Sequence, residues 1–329
     1  QVICAIAEGD ARTAWSMAQS SGCSMAAAYM APEAAREVFG DPRAVLSWGY
    51  SLGPQCRADP VEGGWRVNGT WSFGSGNRHS TWLGAHCHLP DATERTMLFP
   101  RSSADIKEDS WHVVGLRGTG SDGYTVTDLF VPAAYSLVPR ATGRDQHQAA
   151  DARPEPEPER REQGTLYRFS PMNVYQCGFA AVALGVARAT LAAFIALARS
   201  KTTSANVTLR NDSWTQTRVA QSEARLCASE AWILQILRAM WEDCAASGGT
   251  GFEHRIKLRL ASTYAMHEAR RVVEDSYADA GATAIFEANP FERRLRDMHA
   301  VAQQVQASAV HLQSVGQHLL GLKPPLRFI

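Results

Sequence analysis

Residues 63–82 read GGWRVNGTWSFGSGNRHSTW, and the fold turns on how that stretch is taken. Gly63-Gly64 and Asn68-Gly69 are turn-forming pairs, while Trp65, Val67, Trp71 and Phe73 fall on alternate positions, the period of a half-buried strand. The same punctuated β pattern runs from about Ala44 to Val138, and it predicts a small antiparallel barrel or sandwich.

Both flanks of this zone are helical. Residues 1–39 are rich in alanine and methionine at helical spacing, and Pro32-Glu33 suits a first helical turn. The opening QVICAIAEGDARTAW already carries an apolar helical pattern with neither a start methionine nor a cap, so an incomplete N-terminal helical domain is expected. Residues 141–164 include PEPEPERRE, combine proline with charge, and read as a linker or mobile loop that buries too little to order itself. Beyond it, long helical patterns lie near 173–200, 213–246, 253–280 and 291–321, which predicts a four-helix bundle. In the last, Leu295, Met298, Ala302, Val305, Ala309, Leu312 and Leu319 form one apolar stripe on a helix of roughly 28 residues. Val219, Leu226, Ile233, Leu237, Met240 and Cys244 do the same earlier. The expected division is 1–43 as the remainder of an N-terminal helical domain, 44–140 as a middle β domain, 141–164 as the linker and 165–329 as the bundle.

Composition narrows the function. A chain of 329 residues with 45% hydrophobic content supports one large core or several smaller ones. Basic and acidic residues balance at 33 each, so no global field draws it to nucleic acid or an anionic membrane, and a small, weakly charged partner is the default. The seven cysteines are scattered, without a Cys-x-x-Cys pair, and read as free thiols in a reducing compartment. No run of about 18 apolar residues is free of charged or polar interruption, and no signal core follows a basic start; a cytoplasmic location is expected.

Three motifs carry a resemblance: GGWRVNGTWSFGSGNRHSTW at 63–82, WHVVGLRGTGSDGYTVTDLFVP at 111–132 and PFERRLRDMHAVAQQ at 290–304. With the order helices, β domain, helical bundle, the chain resembles the acyl-CoA dehydrogenase superfamily, an α+β fold, over nearly its whole length. The resemblance implies a flavin whose isoalloxazine ring lies between the β domain and the bundle. Phe73, Gly74, Ser75 and Gly76 match the strand end beside the ring, where glycines admit close backbone approach, and Ser75 would bring a hydroxyl to the N5–C4a side. Trp48, Tyr50 and Ser51 resemble the other flavin-contacting strand end, although the Glu-Pro-Gly pattern of true dehydrogenases is absent; Trp48 and Tyr50 fit equally as core aromatics. Arg199 and Gly281 fall where a neighbouring subunit contacts such flavins, but the glycine pair usual at the latter is reduced to Gly281, so FMN is as plausible as FAD; the apolar bundle surfaces favour a homotetramer or homodimer.

The final helices separate the branches. Aligning Arg296-Asp297 with the family's Arg-Asp pair puts Val305 where the commonest dehydrogenase branch holds its glutamate base, and valine accepts no proton. The oxygenase branch often carries a histidine here; Gln304 stands in its place, able to hydrogen-bond but not to shuttle a proton near neutral pH. His299, about 140° around a helix from Gln304, is the other candidate, and Arg296 and Asp297 read as a salt bridge tying helices together. The resemblance therefore implies a two-component monooxygenase: flavin bound reduced, delivered by a separate flavin reductase, reacting with O2 through a C4a-hydroperoxide to oxygenate a small organic substrate. Trp15, Met17 and Tyr29 are candidate substrate-facing residues, each equally at home in a core. Two rivals stay open, a dehydrogenase or oxidase with its base elsewhere and a non-catalytic flavin-binding scaffold subunit. His86 and His88 lack a further ligand and read as partly exposed strand histidines, with no metal expected. The glycine-rich loop 115–121 lacks P-loop context and reads as a β-domain turn anchored by Arg117.

Overall fold

The computed structural model describes residues 1–51, 53–138, 161–203 and 206–324. Most of the 141–164 segment expected as a linker therefore lies outside the described residues.

Three short helices lead: α1 (Val2–Gly9), α2 (Ala11–Ser24) and α3 (Pro32–Phe39). Asp10 starts α2 by accepting Thr13 N–H at 2.8 Å, satisfying one orphan donor of the first turn, and Pro32 opens α3 where its missing N–H costs nothing.

The middle zone is one nine-stranded sheet rather than a closed barrel. Its strands are β1 (Leu46–Trp48), β2 (Tyr50–Ser51), β3 (Arg57–Val61), β4 (Gly64–Ser72), β5 (Trp82–His88), β6 (Glu94–Pro100), β7 (Asp105–Ile106), β8 (Tyr124–Pro132) and β9 (Ser136–Leu137). The main path runs β7-β8-β4-β3-β5-β6-β9, with β1 parallel to β5 and β2 antiparallel to β4. Asn68-Gly69 does not turn the chain. It forms a bulge inside β4, with Gly69 at φ +155°, where a Cβ would sit 2.8 Å from the Cys56 Cα. The sheet's core holds Trp71 and Tyr124 with ring centroids 5.7 Å apart, packed with Val67, Leu83 and Met97.

The C-terminal half contributes α4 (Pro171–Ala198), α5 (Ser213–Ser247) and α6 (Phe252–Ala280), close to the expected spans. Ser170 and Asn173 cap α4 reciprocally, and Gly248 in the left-handed region stops α5. By length and composition α4 could cross a membrane; here its buried face packs among α1, α2 and α6, and its Arg188 pairs with Glu230. Gly185 lets α1 approach, since a Cβ there would lie 2.2 Å from the Cys4 carbonyl oxygen.

The fourth helix is not continuous. It divides into α7 (Phe291–Ala302), a 3-10 turn at Val305–Ala307 and α8 (Val310–Leu319). Gln304 takes an extended conformation and its Oε1 accepts Gln306 N–H at 2.5 Å, which caps the next turn instead of prolonging α7. The single stripe fails with it: Val305, Leu312 and Leu319 are exposed.

Candidate active site

A cavity of 710 Å³ lies between the sheet and the bundle, within the range of roughly 300–1,000 Å³ of small-ligand sites. Trp48, Gly49, Tyr50, Phe73, Ser75 and His86 form its sheet side; residues 111–116 and Ser121 form a loop wall; Trp15 and Gln19 of α2 and Met172, Tyr175 and Phe179 of α4 form a helical wall; Ala300 and Gln303–Gln306 close the α7 end. No aspartate, glutamate, lysine or arginine lines it among the described residues.

The helical wall is an aromatic face. Trp15 and Phe179 rings lie 4.4 Å apart, and Tyr175 stacks on Phe179 at 5.9 Å with 8° between planes. Burial holds the Tyr175 phenol well above its usual pKa, so it stays neutral. Opposite, Phe73 stands at φ +60°, a left-handed conformation unfavourable for an aromatic residue, with its ring 60% exposed and edge-on to Trp111 at 5.8 Å. Ser75, buried at 6% exposure, accepts Trp15 Nε1–H at 3.0 Å and contacts Ser121 Oγ at 2.8 Å.

The α7 end is held from behind. Gln306 is buried; its Oε1 accepts Arg259 Nη1–H at 2.6 Å. His311 Nε2 lies 2.7 Å from the Val305 carbonyl oxygen and His267 Nε2 lies 2.7 Å from that of Ala307. Burial, and then the Arg259 charge, push His311 down to about 4, so near neutral pH it is uncharged and donates from Nε2 to this carbonyl. Burial lowers Arg259 to about 9, which leaves it cationic.

The sequence-predicted residues divide. Trp15, Trp48, Tyr50, Phe73, Ser75 and Gln304 meet at the cavity. Gly74 and Gly76 shape its edge: a Cβ on Gly74 would lie 2.9 Å from Asn77 Nδ2, and Gly76, at φ +81°, donates to the Thr119 carbonyl at 3.0 Å. Ser51 instead bonds its own turn at Gly53. Met17 is 42% exposed and Tyr29 packs with Met30, Val38 and Leu46, so neither lines the cavity. His299 is also outside, 3.5 Å from Glu274 of α6; with Gln304 beyond the end of α7, the angular relation expected between them does not apply. Arg199 and Gly281 sit at the far end of the bundle, about 30 Å along α4 from Phe179 at 1.5 Å per residue. Arg296 and Asp297 do not pair with each other. Arg296 bonds Glu292 and the Val114 carbonyl, and Asp297 accepts Leu116 N–H, so both tie the loop wall to α7.

Sequence reasoning missed the loop wall 111–116, Ser121, His86 and the α4 aromatics. Met172, Tyr175 and Phe179 carried a legible signal, steps of three and four on one helix face; the loop has no period to read.

A flavin ring suits this donor set. Flat aromatic faces line one wall, backbone and amide groups the other, and the buried hydroxyls of Ser75 and Ser121 stand between them.

The acyl-CoA dehydrogenase, C-terminal domain, family matches residues 177–309. A pigment production hydroxylase of Rhodococcus erythropolis is 28% identical across 91% of this chain and 77% of its own length. An indole-3-acetate monooxygenase of Pseudomonas putida is 27% identical across 89% of this chain and 72% of its own. Among solved structures, the HsaA monooxygenase from M. tuberculosis superposes with a TM-score of 0.85, at 24% identity, over 99% of this chain and 83% of that one. The fold is thus that of the acyl-CoA dehydrogenases. Its sequence is similar to that superfamily's C-terminal domain and, over most of its length, to hydroxylases and monooxygenases, several of them flavin-dependent.

Proposed function

We infer that the protein is the oxygenase component of a two-component flavin-dependent monooxygenase, acting on a small aromatic substrate. The observation that carries this is a ring-sized aromatic cavity with no carboxylate on its wall among the described residues. The glutamate base of the commonest dehydrogenases has no counterpart on this wall, whose imidazoles are those of His86 and His112, whereas oxygen transfer needs a dry enclosure around the cofactor.

When bound, the reduced flavin supplies the electron pair with which O2 gives one atom to substrate and one to water. The protein's residues do the rest. Ser75 meets the polar edge of the ring, Trp48, Tyr50 and Phe73 border it, and Trp15, Tyr175 and Phe179 offer faces on which an aromatic substrate stacks. Gln303 and Gln304 present amides that orient a polar substituent without taking its proton. The clamp on residues 114–116 by Arg296 and Asp297 keeps water out of the seam.

A separate flavin reductase supplies the reduced cofactor, FMN or FAD. Arg199 and Gly281, far from the cavity of their own chain, act on a neighbour's flavin in a homo-oligomer. The test is anaerobic incubation with reduced FMN or FAD, then addition of ¹⁸O2 with indole-3-acetate and simple phenols as trial substrates. One labelled oxygen in a product supports the reading; failure to retain either reduced flavin overturns it.

A further inference from the structure

Ser75 is the first link of a buried hydrogen-bond chain with fixed ends. Trp15 Nε1–H, which only donates, meets Ser75 Oγ at 3.0 Å. Ser75 Oγ lies 2.8 Å from Ser121 Oγ, and Ser121 Oγ lies 2.7 Å from Thr119 Oγ1. Thr119 Oγ1 donates to the Leu116 carbonyl, which only accepts, at 2.9 Å. Ser75, Thr119 and Ser121 are all buried.

A donor-only group at one end and an acceptor-only group at the other polarise the three hydroxyls. Thr119 gives its proton to Leu116 and accepts from Ser121; Ser121 in turn accepts from Ser75. The Ser75 proton is thereby committed away from the cavity, and one of its two acceptor sites is taken by Trp15. What remains toward the cavity is a lone pair.

We propose that this chain fixes Ser75 as a hydrogen-bond acceptor toward the cavity and so sets the site's preference for reduced over oxidised flavin, with Ser121 and Thr119 as positioning residues. The inference rests on the flavin reading above. Reduced flavin carries a proton on N5 and donates it to such an acceptor; oxidised flavin offers only a lone pair at N5 and is repelled. Removing the acceptor end releases the chain. In Thr119→Val the Ser121 proton has no terminus and turns to Ser75, whose own proton swings to the cavity. In Ser121→Ala the Ser75 proton is freed directly.

The experiment measures dissociation constants for dithionite-reduced and for oxidised FMN and FAD by anaerobic and aerobic ultrafiltration, with folding checked by circular dichroism. Thr119→Val and Ser121→Ala are expected to lower the ratio of reduced to oxidised affinity about tenfold, the scale of one hydrogen bond. The midpoint potential of the bound flavin should become more negative in step. Thr119→Ser, which restores the hydroxyl, is expected to keep the ratio within about twofold of the parent. Trp15→Phe removes only the donor end, so both affinities fall together and the ratio stays. An unchanged ratio in Thr119→Val and Ser121→Ala, or an equal loss for both redox states, overturns the proposal. A parent protein that binds both states equally overturns it while leaving the flavin reading intact, and one that binds neither removes the reading itself.

Discussion

Asp297 on α7 accepts the backbone N–H of Leu116 at 2.6 Å, from across the seam where the bundle meets the sheet domain. The carboxylate is 5% exposed, and burial raises its pKa, outweighing that hydrogen bond and the nearby Arg12, Arg293 and Arg296. Leu116 itself stands at φ +53°, so the bond pins a residue that resists its own conformation.

Replacing this carboxylate separates its two roles. Asp297→Ala leaves the Leu116 N–H buried without an acceptor and is expected to cost about 1–3 kcal/mol. Asp297→Asn keeps an acceptor and removes the charge. A carboxyl with a raised folded pKa contributes stability below its unfolded value that is lost as pH rises through the folded one. The Asn variant should therefore gain on the parent between pH 4 and pH 7. Urea unfolding at both pH values measures this, and equal losses for Asn and Ala would contradict it.

Gly115 is where the loop wall touches α7. An added Cβ would lie 2.0 Å from the Arg296 carbonyl oxygen, a helical backbone atom with little freedom to yield. Gly115→Ala should push the loop off the helix, widening the cavity and admitting water. The expected result is a loss of at least about 1–3 kcal/mol in stability with a weakening of reduced-flavin binding. Thermal melts with and without reduced flavin read both, and a variant that melts and binds like the parent would show that the seam is free to move.

Phe73 pays a conformational penalty that packing does not repay, its ring being 60% exposed. Asparagine tolerates the left-handed region at less cost, so Phe73→Asn is expected to raise stability by about 1 kcal/mol or leave it level. The same change removes the ring that meets Trp111 at the cavity mouth and should weaken flavin binding severalfold. A variant that loses stability and keeps affinity would assign Phe73 to the fold rather than the site.

These residues mark how far the sequence can be read. Periodicity located α4, α5 and α6 because each buries a face against neighbours, and that pattern persists without knowledge of the partner. It ran through Gln304 because helix propensity and apolar spacing continue there; the break depends on Arg259 and His311 reaching from sites 45 residues before and 7 residues after it. Asn68-Gly69 misled for the opposite reason, a strong local turn signal overridden by pairing with β8 on one side and Cys56 on the other. Motif resemblance found Ser75, yet Ser121 and Thr119 could emerge only when the loop was seen folded over it.

His311 offers the sharpest pH test, since it supports the cavity wall without lining it. Its neutral ring donates to the Val305 carbonyl, and protonation would bury a charge facing Arg259. The unfolded chain titrates near the ordinary histidine value of about 6.5, whereas the folded one resists until about 4. Between these values the unfolded state binds the extra proton, so stability present above pH 6.5 is lost progressively down to pH 4, by about 3 kcal/mol for one group. His311→Gln keeps an N–H donor for Val305 and has no proton to take up. Its unfolding free energy should change less than the parent's between pH 7 and pH 4.5, and the variant should hold reduced flavin at pH 5 where the parent releases it as residues 304–306 loosen. Parallel pH profiles for the two proteins would place the acid sensitivity elsewhere.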